Sequence, residues 1–352
     1  MPRASLRQKI GQLFLIGFAG DTLYPNHPIV TDITEENLAG VILFDRLLAG
    51  KKNTNNIIDA AQLQRLTADL QNLAGGNLLI AVDQEGGNVN RFLKERGFPI
   101  TPSAAELGRA DDIRSTVASA RQTAQMLHAA GVNWNLAPVV DINVNEDNPI
   151  IGRYGRSFSN NGQTVATHAT AWIRAHRAEG IQCCLKHFPG HGSSHSDSHL
   201  GFVDITMSWQ ATELEPYQLL IDRGDADAIM IGHLINKKLD QNYPATLSSA
   251  TLQLLLRNKM HFKGVIISDD MQMKAITNHY GVEEACCKAL IAGIDLLIIG
   301  NNLNHDAAIL KKAKDAVERG VEKGEISEHR IEEAYDFVQK FKLSLNRCHE
   351  PT

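Results

Sequence analysis

Short apolar runs of strand type recur along this chain, separated by longer segments with helical periodicity, and that alternation restricts the fold more than any other feature. Eight such runs are readable: QLFLIGF (12 to 18), GVILF (40 to 44), LLIAVDQ (78 to 84), VNWNLAPVVD (132 to 141), IQCCLKHF (181 to 188), AIMIGHL (228 to 234), GVIISDD (264 to 270) and LLIIG (296 to 300). Between them the periodicity predicts helices over Ile57 to Leu73, Ile113 to Ala130, Gln163 to Ala178, Ser208 to Asp222, Ser249 to Lys259 and Val282 to Ala292, with one or two more in the tail from Asp306 to Leu343. Five of the strands are introduced by a glycine, at 40, 131, 180, 264 and 293, where a residue with positive φ would end one helix and turn the chain into the next strand. Eight βα units favour a closed barrel over an open doubly wound sheet. The predicted fold is α/β, a single (β/α)8 barrel of TIM type, with residues 1–352 forming one domain.

Composition removes several other classes. At 43% hydrophobic and 21% charged residues the chain can bury a large core, which excludes disordered and fibrous types. A net charge of -5 provides no basic field for a polyanion, so nucleic acid is not an expected partner. No apolar stretch approaches a membrane-spanning length. Arg3, Arg7 and Lys9 precede the apolar run Leu13 to Ala19 in the manner of a signal peptide, yet the barrel needs that run as its first strand. The five cysteines include two adjacent pairs, Cys183-Cys184 and Cys286-Cys287, whose geometry disfavours a disulfide within each pair. Reduced thiols and a cytoplasmic monomer are therefore expected, or a periplasmic or secreted protein if a leader has been removed.

In a barrel of this kind chemistry gathers at the C-terminal ends of the strands, and the polar residues of this sequence lie there. The third strand ends in Asp83-Gln84-Glu85-Gly86-Gly87, the fifth in Lys186-His187 and the seventh in Ser268-Asp269-Asp270. Charged groups terminating apolar strands are desolvated, and a fold tolerates them mainly when they bind something or one another. After the fifth strand comes KHFPGHGSSHSDSHLG (186 to 201), in which Pro189, Gly190 and Gly192 disfavour helix and predict a loop. Its histidines at 187, 191, 195 and 199 would stack as a zinc site only on an unbroken helix. Asp197 and His199, two apart, fall on one side of an extended segment, where the carboxylate can orient the imidazole and favour its protonated form. His199 is thus a candidate general acid; the plain alternative is a polar surface loop with incidental histidines. Asp269 is a reasonable nucleophile toward an anomeric carbon. Asp270 points the opposite way in an extended strand and fits a capping role.

These segments together resemble the single-domain bacterial members of glycoside hydrolase family 3, the β-N-acetylglucosaminidases associated with peptidoglycan turnover. The resemblance is carried by VDQEGG (82 to 87) with Arg91, GRSF (155 to 158), KHFPGHG (186 to 192) followed by DSH (197 to 199), PATLS (244 to 248) and ISDDMQM (267 to 273). It extends from QKIGQ (8 to 12) to the stretch 292 to 300. It implies that Asp269 is the nucleophile and that His199 with Asp197 forms the acid/base dyad. It also implies that Asp83, Arg91, Arg156, Lys186 and His187 grip the sugar in the −1 subsite. Asn88 departs from the pattern, since many relatives carry Arg after the glycine pair. His191 and His195 are expected to order the loop, and His233 to line the pocket.

The implied reaction is double displacement with net retention, taking non-reducing terminal β-linked N-acetylglucosamine from a saccharide or muropeptide without cofactor or metal. Because the dyad sits on a loop of glycines and serines, residues 190 to 199 are expected to close over bound sugar. Three other readings compete. They are a β-glucosidase-type specificity, a metal-dependent barrel hydrolase using the histidine-rich loop, and a sugar-binding protein without activity. β-Glucosidase relatives generally lack the DSH loop, and intact nucleophile and acid/base positions argue against mere binding.

Overall fold

The computed structural model describes residues 4–196, 201 and 203–347. Its main sheet is wholly parallel, with strands β1 (Phe14–Gly17), β2 (Gly40–Leu43), β3 (Leu79–Val82), β4 (Trp134–Asn135), β5 (Gln182–Cys183 continuing as Leu185–Phe188), β6 (Ala228–Ile231), β7 (Val265–Asp270) and β8 (Leu296–Ile299). The first part of β5 pairs with β4 and the second with β6. Only Cys184 interrupts it, and its N–H donates to the carbonyl of Ala137. The two ends of the sheet are therefore one stretch of chain, and the sheet closes on itself as an eight-stranded barrel. All eight strand-type runs are strands, and β1, paired with both β2 and β8, shows that the apolar run near the start belongs to the barrel wall.

Strands buried on both faces read as continuous apolar runs, and β1, β2, β3, β6 and β8 are buried throughout. Burial of a side chain such as Phe14 or Ile16 stabilises the fold by roughly 1.5–3 kcal/mol each. Ladder pairing in β4 stops at Asn135, shortly before Pro138, which has no N–H to donate. Helix boundaries follow caps more than periodicity. The first long helix starts at Ala60 and not Ile57 because Asp59 accepts from the Gln62 N–H at 2.8 Å. Asp112 and Asn161 cap the helices Ile113–Ala129 and Gly162–Ala178 in the same way, each cap contributing about 1 kcal/mol. The segment expected as helix from Ser208 begins only at Glu215, after a short 3-10 turn. Ala250–Lys259 is helical with π-type hydrogen bonding, and the tail forms two helices, Ile309–Glu322 and Glu328–Arg347.

The five introductory glycines divide by cause. Gly131, Gly180 and Gly293 take positive φ as expected. Gly40 and Gly264 do not: a Cβ on Gly40 would lie 2.4 Å from that of Leu79, and one on Gly264 2.2 Å from the Asp227 carbonyl oxygen. Those two allow strands and turns to approach closely. The free cysteines 183, 184 and 286 are buried, and burial drives their thiols upward, which suits inert packing groups. Among the described residues no helix is long and apolar enough to cross a membrane.

Candidate active site

The C-terminal ends of the strands surround a cavity of about 340 Å³, within the range of small-ligand sites. Asp83, Arg91, Arg156, Lys186, His187 and Asp269 all line it. Six of the eight residues singled out from the sequence are thus brought together from β3, β5, β7 and two loops. Asp197 and His199 lie outside the described residues.

The floor of the cavity is a chain of alternating charges. Lys186 Nζ donates to Asp83 Oδ1 at 2.6 Å and lies 2.7 Å from Glu85 Oε1. Arg156 grips the same Glu85 with two parallel bonds, Nε to Oε2 at 2.7 Å and Nη2 to Oε1 at 2.8 Å. Arg156 Nη2 also donates to His187 Nε2 at 3.3 Å. That bond makes Nε2 an acceptor, so the His187 proton sits on Nδ1 and is donated to Asp141 Oδ2 at 2.8 Å. At the other end Arg91 lies 3.8 Å from Asp83 and 3.6 Å from Asp45. The Gln84 side-chain Oε1 accepts from the backbone N–H groups of Arg91 and Phe92, both at 3.1 Å, which fixes where the Arg91 side chain begins.

Burial opposes each of these charges, and their partners outweigh it. Burial would raise the Glu85 carboxyl, but the charges and hydrogen bonds of Arg156 and Lys186 hold it far below the usual carboxylate range. Burial would lower Lys186, and Asp83 with Glu85 keeps it above its ordinary value. The Asp141 carboxylate, fully buried, is held low by His187 and His191. His191 is pushed down to about 4, first by burial and then by His187, so its ring is neutral at neutral pH. The result is a rigid, ionised lattice with many donors and acceptors directed at one small volume, suited to the hydroxyls of a sugar.

Asp270 also borders the cavity, but its Oδ1 accepts from the N–H groups of Gln272 at 3.0 Å and Gly300 at 2.9 Å. It has the capping role expected of it. Asp269 Oδ1 accepts from the Asp270 N–H at 2.8 Å. His233 is not among the residues lining the cavity. Its Nδ1 meets Thr246 Oγ1 at 2.8 Å and its Nε2 the Asp270 carbonyl at 3.0 Å, so it braces the strand that carries Asp269 from behind.

The loop after β5 is fastened more firmly than its glycines suggest. Asp141 accepts from the backbone of His187 and His191, and Asn148 Nδ2 donates to the His191 carbonyl at 2.7 Å and to Ser194 Oγ at 3.0 Å. Glu213 accepts from the Ser193 N–H at 3.3 Å, and Trp209 Nε1 donates to the Pro189 carbonyl at 3.0 Å. His191 Nδ1 bonds Ser194 Oγ at 2.7 Å, while His195 Nδ1 accepts from Asn145 at 3.1 Å, so both order the loop as expected. Residues 189–194 are buried, which shortens the stretch expected to move as a unit from residue 190. Asn88 is exposed and donates to the Tyr154 carbonyl at 3.3 Å, away from the charged floor.

Three acidic groups of this lattice received no role from the sequence: Glu85, Asp141 and Asp45. Each follows or ends an apolar strand-type run, as Asp83 and Asp269 do, so the same rule was available for them. Among the described residues no three His, Cys, Asp or Glu side chains converge as a metal-binding group.

Comparison with known proteins agrees with this geometry. The glycosyl hydrolase family 3 N terminal domain matches residues 5–341. The chain is 34% identical over 331 residues to a beta-hexosaminidase of Psychromonas ingrahamii, covering 91% of this chain and 88% of that one. It is 38% identical over 279 residues to a beta-hexosaminidase of Tolumonas auensis, covering 78% of each. It superposes on a glycoside hydrolase family 3 beta-N-acetylglucosaminidase from Paenibacillus sp. str. FPU-7 with a TM-score of 0.89 at 34% identity, over 99% of this chain but only 64% of that longer one. A Beta-N-acetylhexosaminidase from Beutenbergia cavernae matches with a TM-score of 0.83 at 28% identity, over 97% of this chain and 99% of that one. With its barrel, its charged cavity and a family match across nearly its whole length, this chain belongs to glycosyl hydrolase family 3.

Proposed function

We propose that the protein is a retaining β-N-acetylhexosaminidase that removes non-reducing terminal β-linked N-acetylglucosamine, with peptidoglycan fragments as its natural substrates. The observation that carries this reading is the meeting of Asp269 with Asp83, Arg91, Arg156, Lys186 and His187 around one sugar-sized cavity at the barrel mouth. In the proposed reaction Asp269 attacks the anomeric carbon while His199, oriented by Asp197, protonates the departing oxygen. Water then enters as His199 takes its proton, and the sugar leaves with its β configuration retained. Asp83 accepts from sugar hydroxyls, and Arg91, Arg156 and Lys186 donate to them, while His187, fixed through Nδ1 by Asp141 and through Nε2 by Arg156, shapes the wall beside them. Binding energy spent there orients the anomeric carbon toward Asp269.

The proposal takes residues 1–352 as one catalytic barrel domain, acting as a cytoplasmic monomer without metal or cofactor. Names borne by relatives support the hexosaminidase specificity, since the proteins of Psychromonas ingrahamii and Tolumonas auensis are both called beta-hexosaminidases. The test is release of nitrophenol from its β-N-acetylglucosaminide beside the matching β-glucoside, with chelator present and Asp269→Ala as control. Turnover of the first substrate alone, lost in the variant, is expected. Turnover of the glucoside at a similar rate, or loss of activity in chelator, overturns the proposal.

A further inference from the structure

A second polar cavity, of about 290 Å³, lies on the opposite face of the barrel, at the N-terminal ends of β3, β4 and β5. Gln71, Asn77, His128, Asn133 and Lys342 contribute to its wall, and no Asp or Glu does. The helix Glu328–Arg347 crosses this floor, with Phe341 packed on Trp134 at 4.7 Å between ring centroids. From the same turn Lys342 runs inward until it is only 3% exposed.

Three lysines among the described residues are buried to this degree, and two of them are paired with carboxylates. Lys186 has Asp83 and Glu85, and Lys314 has Glu36 at 2.6 Å. Lys342 has only neutral acceptors, the Gln12 side-chain oxygen at 2.7 Å and the Asn77 carbonyl at 3.0 Å. Burying an ammonium against dipoles alone is costly, and burial drives its pKa down to about 7. Two of its three N–H groups are used, leaving one. Its neighbours in the wall are also donor-rich. Asn133 and Gln71 each engage their oxygen with a backbone N–H, of Ile80 and Leu78, and give one amide hydrogen to the Leu78 carbonyl. Each retains a second amide hydrogen.

We infer that this cavity is an anion site, in which Lys342 supplies the charge and the amides of Asn133 and Gln71 supply further donors for a carboxylate or phosphate group. Such a ligand gives Lys342 the ion partner that Lys186 and Lys314 find within the fold. It also ties occupancy of the floor to the seating of the last helix. The site is remote from the catalytic mouth and does not depend on the reaction proposed above.

The test is thermal unfolding of the full chain in increasing inorganic phosphate and, separately, acetate, with chloride holding ionic strength constant. A saturable rise in midpoint on the order of several degrees is expected with at least one of the two anions. The rise should vanish in Lys342→Met, which keeps the length of the side chain, and in Lys342→Gln, which keeps a donor. Wild-type hydrolysis by both variants establishes that their barrels are intact. No rise beyond chloride in the wild type, or the same rise in either folded variant, overturns the assignment.

Discussion

Replacing Glu85 by Gln should damage this protein more than its unremarkable place in a glycine-rich loop suggests. The Glu85 side chain is 6% exposed and answers two cations, Arg156 at 10% and Lys186 at 2%. Lys186 keeps Asp83 after the change, but Arg156 loses its bidentate partner and becomes a nearly buried charge without a carboxylate in contact. Removing one partner of such a pair costs about 3–5 kcal/mol, and the isosteric amide, which still accepts one bond, places the expected loss near ~3 kcal/mol. The pH dependence provides a second signature. Glu85 is held below its ordinary value of 4.5, so its ionisation stabilises the fold fully above that value, and the stabilisation fades as pH falls through the depressed folded value. Denaturant unfolding of wild type and variant across neutral and acid pH measures both effects. The variant should be less stable near pH 7, and the difference should shrink on acidification below about pH 4.5. A variant within about 0.5 kcal/mol of wild type at neutral pH, or a difference that does not change with acid, refutes the argument that this lattice is held by charge.

Other positions test separate parts of the account. Asp141→Asn turns an amide toward N–H donors from His187 and His191, so steady-state kinetics should show a raised KM and unfolding a loss of about 1–3 kcal/mol. Gly190 has φ +119°, and an added Cβ would lie 2.7 Å from that of Glu213, so Gly190→Ala should lower kcat although residue 190 does not line the cavity. His199→Ala should reduce kcat by about 10²–10⁴ on substrates with poor leaving groups, and much less on a nitrophenyl glycoside, whose departure needs little protonation. Equal losses on both would place the proton donor elsewhere.

Much of the architecture was legible because five of the eight strands, buried throughout, read as unbroken apolar runs, in β1 as clearly as in β8. Boundaries were less legible where a single hydrogen bond decides them, as Asp59 does at the start of Ala60–Leu73. Glycines looked alike in sequence, yet Gly131 is needed for its φ and Gly40 for the close approach of Leu79, a distinction that only packing reveals. In the site, Asp83, Glu85, Asp141 and Asp269 all read as acids at or just after strand ends, but only Asp83 and Asp269 were given a role. The importance of Glu85 and Asp141 comes from the cations and imidazoles that distant segments bring to them, and no local pattern records that. His233 was misplaced for a related reason: the end of a barrel strand can face the mouth or turn behind it, and only its bonds to Thr246 and Asp270 tell which.

The central claim, a covalent intermediate on Asp269, is tested most directly by mass spectrometry of peptides after the enzyme is quenched with a fluorinated, activated β-glycoside that is released slowly. One added glycosyl group on the peptide carrying Asp269, absent in Asp269→Ala, is the result this account predicts. A glycosyl group on a different residue would contradict it, as would turnover of the reagent with an inverted anomeric product and no adduct.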